Sequence, residues 1–260
     1  MTTHTIDTET HNPSQAAPLA RQVLVQTRAE LLLTARRGEN VLITLIVPVG
    51  LLVFFESVNI IPVSSGPAVN FLLPGILALA IIATGMVNLG IATAYERYYG
   101  VLKRLGSSPL PRSGLISAKV LSLLVLEAFQ VIILVGISML FYHWQPAGSP
   151  LLALLVIALG TIAFAALGLA MAGALRAEFT LAGANALYMV FLFISGGILP
   201  LNHLPAPIAA LSQFLPATAL TQALQASMSN GTVFPGFSLL VLAIWTALIL
   251  LAAIFTFRWE

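Results

Sequence analysis

The sequence predicts an all-α membrane protein with six transmembrane helices, an N-terminal interfacial helix and outer re-entrant helices. Hydrophobic residues make up 59% of the 260 residues and charged residues only 8%, whereas about a quarter of a soluble domain is charged. Several apolar runs reach the roughly 20 residues of helix that a hydrocarbon core of about 30 Å requires. Because lipid does not tolerate unpaired backbone and these runs are too long for barrel strands, they predict a helical bundle.

Six stretches have the length and composition of membrane spans. They are 41–59, 71–94, 115–142, 151–175, 184–201 and 235–257. All 11 Lys and Arg residues precede the first stretch, follow the last, or lie in or just beside the second and fourth connections. The other three connections, about 60–70, 143–150 and 202–234, contain none. Since short loops with Lys and Arg stay in the cytoplasm, the pattern predicts a multi-pass membrane protein with both termini cytoplasmic.

The N-terminal region before the first stretch divides into two parts. Residues 1–18 are polar and lack the basic region and apolar core of a signal peptide, which predicts a disordered cytoplasmic tail. Residues 19–37 place Leu24 and Leu31 on one side of a helix and Gln26 and Glu30 on the opposite side, which predicts a helix lying along the inner membrane face. The alternative is a simple N-terminal extension of the first span. The permease domain is therefore predicted over 19–260.

Two connections have unusual sequences. Residues 96–105 are the most charged stretch and predict a short amphipathic helix that a Gly/Ser/Pro run ends, while Lys119 is expected to extend its amine to the inner interface. The region 199–234 contains too many prolines and amides for one continuous span. It predicts a pair of short helices that enter the outer leaflet and return, which requires cover by protein or water.

Small residues four apart, Gly90 with Ala94 and Gly168 with Ala172, predict close contacts between helices.

The residues that carry chemistry exclude several functions. The chain lacks the Gly-Lys-Ser/Thr sequence of a phosphate-binding loop, so it is not expected to be an enzyme that hydrolyses ATP. It has no cysteine, its four histidines show no ligand spacing, and no serine has a recognisable catalytic partner. We therefore predict no catalytic residue, no metal site and no cofactor in this chain. The basic residues lie beside apolar spans, which favours a bilayer and not nucleic acid as their partner.

Two polar residues fall within the third apolar stretch. Glu127 is expected near mid-depth, and Gln130 follows one helical turn later. A carboxyl group inside a membrane is costly and is a functional candidate by default. The sequence leaves three roles open for Glu127: a hydrogen bond that joins helices, a place on the substrate path, and proton coupling.

The sequence resembles the membrane subunits of type-2 ABC exporters, which include permeases for drugs and polysaccharides. The first resemblance is the loop after the second span, with Glu96-Arg97, Gly100, Lys103-Arg104-Leu105, Pro109, Arg112 and Lys119. The second is the exit of the fifth span and the outer re-entrant element, with Ser195-Gly196, Pro200, Pro205 and Pro216.

The resemblance implies a mechanism and partners. Glu96, Arg97, Gly100, Lys103, Arg104 and Leu105 would form a coupling helix that docks into a separate ATP-binding subunit. ATP and Mg would be bound by that partner, and a homodimer or a second permease would complete the path. The implied function is export of an amphipathic substrate such as a drug, a lipid or a glycan-like molecule, and the implied location is the bacterial cytoplasmic membrane. The alternatives are a proton-coupled secondary carrier, although no internal repeat is visible, and a non-transporting membrane scaffold.

Overall fold

The computed structural model describes residues 17–36, 38–58, 67–107, 110–229 and 234–256, and every regular element in these ranges is helical. The predicted disordered tail lies almost wholly outside them, as do Pro109 and Arg258. The helices in chain order are α1 Leu19–Arg36, α2 Gly38–Val58, α3 Val69–Ile82, α4 Leu89–Tyr98, α5 Val101–Gly106, α6 Arg112–Tyr142, α7 Pro150–Ala174, α8 Ala177–Ile194, α9 Ala206–Ser212, α10 Pro216–Met228 and α11 Gly236–Thr256. A π-helical segment, Ala83–Asn88, joins α3 to α4, and a 3₁₀ turn spans Leu201–His203.

Five helices in the described ranges are long and apolar enough to cross a membrane. They are Val69–Tyr98 (α3, the π segment and α4 together), α6, α7, α8 and α11. The first predicted span corresponds to α2, whose apolar part is shorter, Leu42–Val58, and which continues through Pro48. The all-α membrane class is thus confirmed, and the crossing by α2 remains a prediction.

The bounds of α8 correct the predicted fifth span, 184–201. The helix begins directly after Arg176 and includes polar residues of its first turns, such as Glu178, which a search for apolar runs leaves out. It ends at Ile194 because Gly196 takes a left-handed conformation with φ 76°, which favours glycine. The residues predicted to complete the span form the turn that leads to the outer helices.

Helix α7 lies at the centre of the bundle and packs against α4, α10, α11 and the π segment. The predicted contact between small residues is confirmed, since a Cβ atom on Gly90 would lie 3.0 Å from the Cα atom of Gly168. Ala94 and Ala172 belong to one buried cluster beside this contact. The absence of side chains here lets the two helix backbones approach closely.

The two ends of α7 identify the two ends of the bundle. At its start, the N–H of Ser149 donates to the carbonyl of Ser227 in a bond of 2.9 Å, which joins the 143–150 connection to the end of α10. At its end, the guanidinium of Arg97 binds backbone carbonyls. A 25-residue helix is about 37 Å long at 1.5 Å per residue. The 143–150 connection and the end of α10 therefore lie at the opposite end of the bundle from Arg97 and the end of α7.

Candidate functional site: the basic end of the bundle and its cleft

A buried lysine holds three helices together at the basic end. The amine of Lys119 on α6 lies 2.8 Å and 3.1 Å from the two carboxylate oxygens of Glu96 on α4. It also lies 3.2 Å from a carboxylate oxygen of Glu30 on α1. The side chain of Lys119 is 2% exposed, that of Glu30 is 13% exposed and that of Glu96 is 18% exposed. Lys119 therefore does not extend to the interface as the sequence predicts, because two carboxylates from other helices reach it first.

The neighbouring residue Arg97 connects α4 to the end of α7. Its guanidinium donates one hydrogen bond of 2.6 Å to the carbonyl of Gly173 and another to the carbonyl of Leu175. The last carbonyls of a helix lack partners within the helix, and a cation there also complements the helix dipole. Glu96 and Arg97 thus fix the end of α4 to α1, α6 and α7.

The loop that follows is not the single helix predicted over 96–105. Residues 96–98 complete α4, the chain turns at Gly100 with φ 70°, and α5 then begins at Val101. The reason is the glycine itself, since a left-handed conformation ends the preceding helix at little cost.

Helix α5 has one buried side and one exposed side. Leu102 is buried in a cluster with Leu89 and Leu115, whereas Lys103 and Arg104 are exposed. Tyr98 and Tyr99 are also exposed just before the turn, with their rings 5.1 Å apart in an edge-to-face arrangement. The loop therefore presents basic and aromatic side chains on a base that is fixed to the bundle.

A cleft begins beside the lysine cluster and continues between α2, the π segment and α8. It consists of three adjoining cavities of about 380 Å³, 110 Å³ and 160 Å³ that all contain Asn88 in their walls. The amide of Asn88 donates to the hydroxyl of Thr44 (3.1 Å), and that of Gln130 donates to the carbonyl of Thr44 (2.8 Å). Asn185 and Tyr188 of α8 line the far cavity, together with apolar side chains. The cleft is therefore amphipathic.

The two residues predicted for a substrate path occupy different environments. Gln130 lines the far cavity of the cleft. Glu127 is only 1% exposed, accepts a hydrogen bond from the hydroxyl of Thr161 on α7, and lies in the wall of none of these three cavities. The structure thus places Glu127 in a contact between α6 and α7.

The predicted re-entrant element forms a turn and short helices packed on the bundle. Gln225 donates to the carbonyl of Gly196 (3.2 Å), and Thr218 donates to the carbonyl of Ile194 (3.3 Å), so α10 holds the turn at the end of α8. Ser195 is buried there, and its hydroxyl accepts from the N–H of Gly197 (3.3 Å). The prolines stand at starts of elements: Pro200 before the 3₁₀ turn, Pro205 before α9 and Pro216 in the first turn of α10. Proline is well tolerated there because the first N–H groups of a helix have no partner within it.

Comparison with known proteins gives a family match that covers most of the helices. The family model for ABC-2 type transporters matches residues 21–229, from α1 to the end of α10. The chain belongs to the ABC-2 type transporter family. It is 27% identical over 202 residues to YvfS of Bacillus subtilis (strain 168), which is named as a transport permease, and the match covers 74% of this chain and 79% of YvfS.

A second relative is longer. The chain is 22% identical over 166 residues to YbhS of Escherichia coli (strain K12), which is named as a multidrug ABC transporter permease. The match covers 63% of this ABC-2 chain and 44% of YbhS, so the chain spans less than half of that relative.

Two features of the site escaped prediction from the sequence of this ABC-2 permease. The pairing of Lys119 with Glu30 was missed because the two residues lie far apart along the chain. The available signal was the lysine within a span, since such a residue is expected to pair with carboxylates near the same membrane face. The π segment, Ala83–Asn88, has no such signal, because its residues are compatible with an ordinary α-helix.

Proposed function

We propose that this chain is the permease subunit of an ABC exporter that moves an amphipathic substrate, a drug, a lipid or a glycan-like molecule, outwards across the cytoplasmic membrane. A separate subunit would bind ATP and Mg and hydrolyse the nucleotide. The chain would cross the membrane six times, with α2 as the first span, and its basic end would face the cytoplasm. A second permease, or a second copy of this one, would complete the path.

The observation that carries the proposal is the loop from Tyr98 to Gly106. A docking element must present groups to a partner and must also transmit force, which a loosely attached loop cannot do. Here Lys103 and Arg104 are exposed, while buried Leu102 and the bonds of Arg97 attach the loop to the bundle. We therefore assign docking to Lys103 and Arg104 because they are exposed. We assign attachment of the loop to Glu96 and Arg97, which bond other helices of the bundle.

The cleft supports the proposal that the substrate is amphipathic. Its walls combine amide and hydroxyl groups of Asn88, Gln130 and Tyr188 with apolar side chains of α2 and α3. Ligand sites of this kind hold the apolar body of a molecule by burial and orient it with a few polar groups. The word multidrug in the name of YbhS is compatible with such a cleft. We infer that α2 and α8, which line it, are the elements that move during transport.

The decisive experiment is reconstitution with the ATP-binding subunit. We expect the chain to copurify with an ATPase, and ATP-dependent transport in vesicles to stop when the catalytic residue of that ATPase is replaced. The double variant Lys103→Ala/Arg104→Ala should weaken binding of the ATPase, since charge-assisted contacts contribute about 1.5–3 kcal/mol each. Its matched control is Arg21→Ala/Arg28→Ala, which removes two exposed cations from α1. Transport by the purified chain alone, driven by a proton gradient without ATP, would refute the proposal and favour a secondary carrier.

A further inference from the structure

The position of Lys119 relates the proposed docking loop to the first helix of the chain. Helix α4 leads through Gly100 into α5, whereas α1 ends at Arg36 and is followed at once by α2 from Gly38. Lys119 contacts a carboxylate from each side: Glu96 near the end of α4 and Glu30 in the second half of α1. The cluster thus lies between the loop that would receive the ATPase and the helix that leads into the cleft.

The burial of the cluster determines how firmly it holds. A lysine that is 2% exposed has lost most of its hydration, so its charge requires compensation by close carboxylates. Separation of α1 from α4 would leave either the amine or a carboxylate without its partner in a poorly hydrated place. A second contact supports the same junction, because Thr27 on α1 is buried and its hydroxyl approaches the carbonyl of Ala118 at 3.4 Å.

We propose that Lys119 is a positioning residue that makes α1, the end of α4 and the start of α6 move as one body. This inference rests on the proposed function, since the movement would originate in the ATPase docked on α5. Displacement of the loop would then carry α1 with it, and α1 would displace α2. Because Thr44 of α2 bonds both Asn88 and Gln130 across the cleft, the displacement would break these bonds and open the cleft. The cluster would therefore connect the ATPase to the wall of the substrate cleft.

The test measures the distance between α1 and the loop in the complete transporter. The chain has no cysteine, so Arg28→Cys and Ser107→Cys, both exposed positions, can carry spin labels, diluted with unlabelled protein to suppress distances between copies. The labelled protein is used after it has been shown to retain ATP-dependent transport. We expect the distance distribution to remain equally narrow without nucleotide and with trapped ATP.

Variants of the cluster should separate the loop from α1. In Lys119→Met the distribution should broaden or shift with trapped ATP, and transport per ATP hydrolysed should fall by about tenfold, within the usual range of coupling between sites, while the ATPase remains bound. Lys119→Arg should restore both quantities. If Lys119→Met does not fold, Glu30→Gln keeps the pair with Glu96 and should still broaden the distribution.

The outcomes distinguish this inference from the proposed function. A native distance distribution and native coupling in Lys119→Met, or in Glu30→Gln where the first variant does not fold, would overturn the role of Lys119 and leave the ABC permease intact. Failure of the unsubstituted chain to bind any ATPase would instead refute the proposed function.

Discussion

Replacement of Gly75 by alanine tests whether the turn at the end of α8 is packed as tightly as the structure shows. A Cβ atom on Gly75 in α3 would lie 2.0 Å from the carbonyl oxygen of Gly197 and 2.7 Å from its carbonyl carbon. Contacts below 3.0 Å do not occur at real Cβ atoms, so the backbone of the turn must retreat by about 1 Å. Because the obstacle is backbone and not the end of a flexible side chain, the strain cannot be relieved by a change of rotamer.

The expected cost follows from this geometry. Overpacking of a well-packed core costs about 1–3 kcal/mol, and alanine in place of a helical glycine returns up to about 1 kcal/mol through backbone entropy. A helical glycine-to-alanine change without such a contact has the same return and no overpacking, so Gly75→Ala should be about 1–3 kcal/mol less stable than that control. Since 1 kcal/mol corresponds to about 2–4 °C for a protein of this size class, the melting temperature of the purified variant should lie several degrees below that of the control.

The control is Gly50→Ala in α2, where a Cβ atom would meet nothing within 4 Å. This variant should melt at the native temperature or slightly above it. Thermal unfolding in detergent, followed by loss of the monodisperse peak in size-exclusion chromatography, measures both variants under the same conditions. Equal melting temperatures for Gly75→Ala and Gly50→Ala would refute the argument that α3 and the turn touch through their backbones.

Three further predictions concern the bundle. Thr161→Val should lower stability by about 0.6 kcal/mol or more, as for hydrogen bonds between membrane helices. Glu127→Gln keeps an acceptor and should be nearly neutral by thermal unfolding. A larger loss of stability in Glu127→Gln than in Thr161→Val would contradict the role of Glu127 in joining α6 to α7. Arg97→Ala leaves every proposed docking residue in place but removes an anchor of the loop, so it should weaken ATPase binding in a pull-down. Full binding by this variant would show that the loop needs no anchor. An impermeant maleimide should label Ala147→Cys and spare Ser107→Cys in intact cells, whereas the opposite labelling would reverse the proposed orientation.

Much of the fold can be predicted because helices in a membrane are long, apolar and largely independent of their neighbours. The lengths of the apolar runs locate α6, α7 and α11 closely, and the glycine pairs locate one helix contact. Boundaries are less predictable where polar residues continue a helix, as at Glu178 in α8. Hydropathy indicates where a segment leaves the lipid. The helix ends where the backbone changes conformation, as at Gly196, so the two positions can differ.

The candidate site was predicted as a set of residues, but their roles depend on contacts made after folding. The sequence singles out Glu96 and Arg97 because charged residues next to a span are conspicuous. It does not show that their partners are Lys119 and the last carbonyls of α7, because those partners are set by the arrangement of four helices. The resemblance to the family implied docking for Glu96 and Arg97, whereas the structure shows that both side chains bond other helices of the bundle.

The π segment, Ala83–Asn88, sets the rotational phase between the two halves of a 30-residue span. A π turn accommodates an extra residue within an α-helix, and one residue corresponds to about 100° of rotation. Deletion of a single residue from this segment should therefore not merely shorten the helix. It should turn Glu96 and Arg97 away from Lys119 and α7, so that the span would still insert into the membrane while the loop pointed in another direction. The alignment of loop and bundle thus depends on one extra residue near the middle of the span.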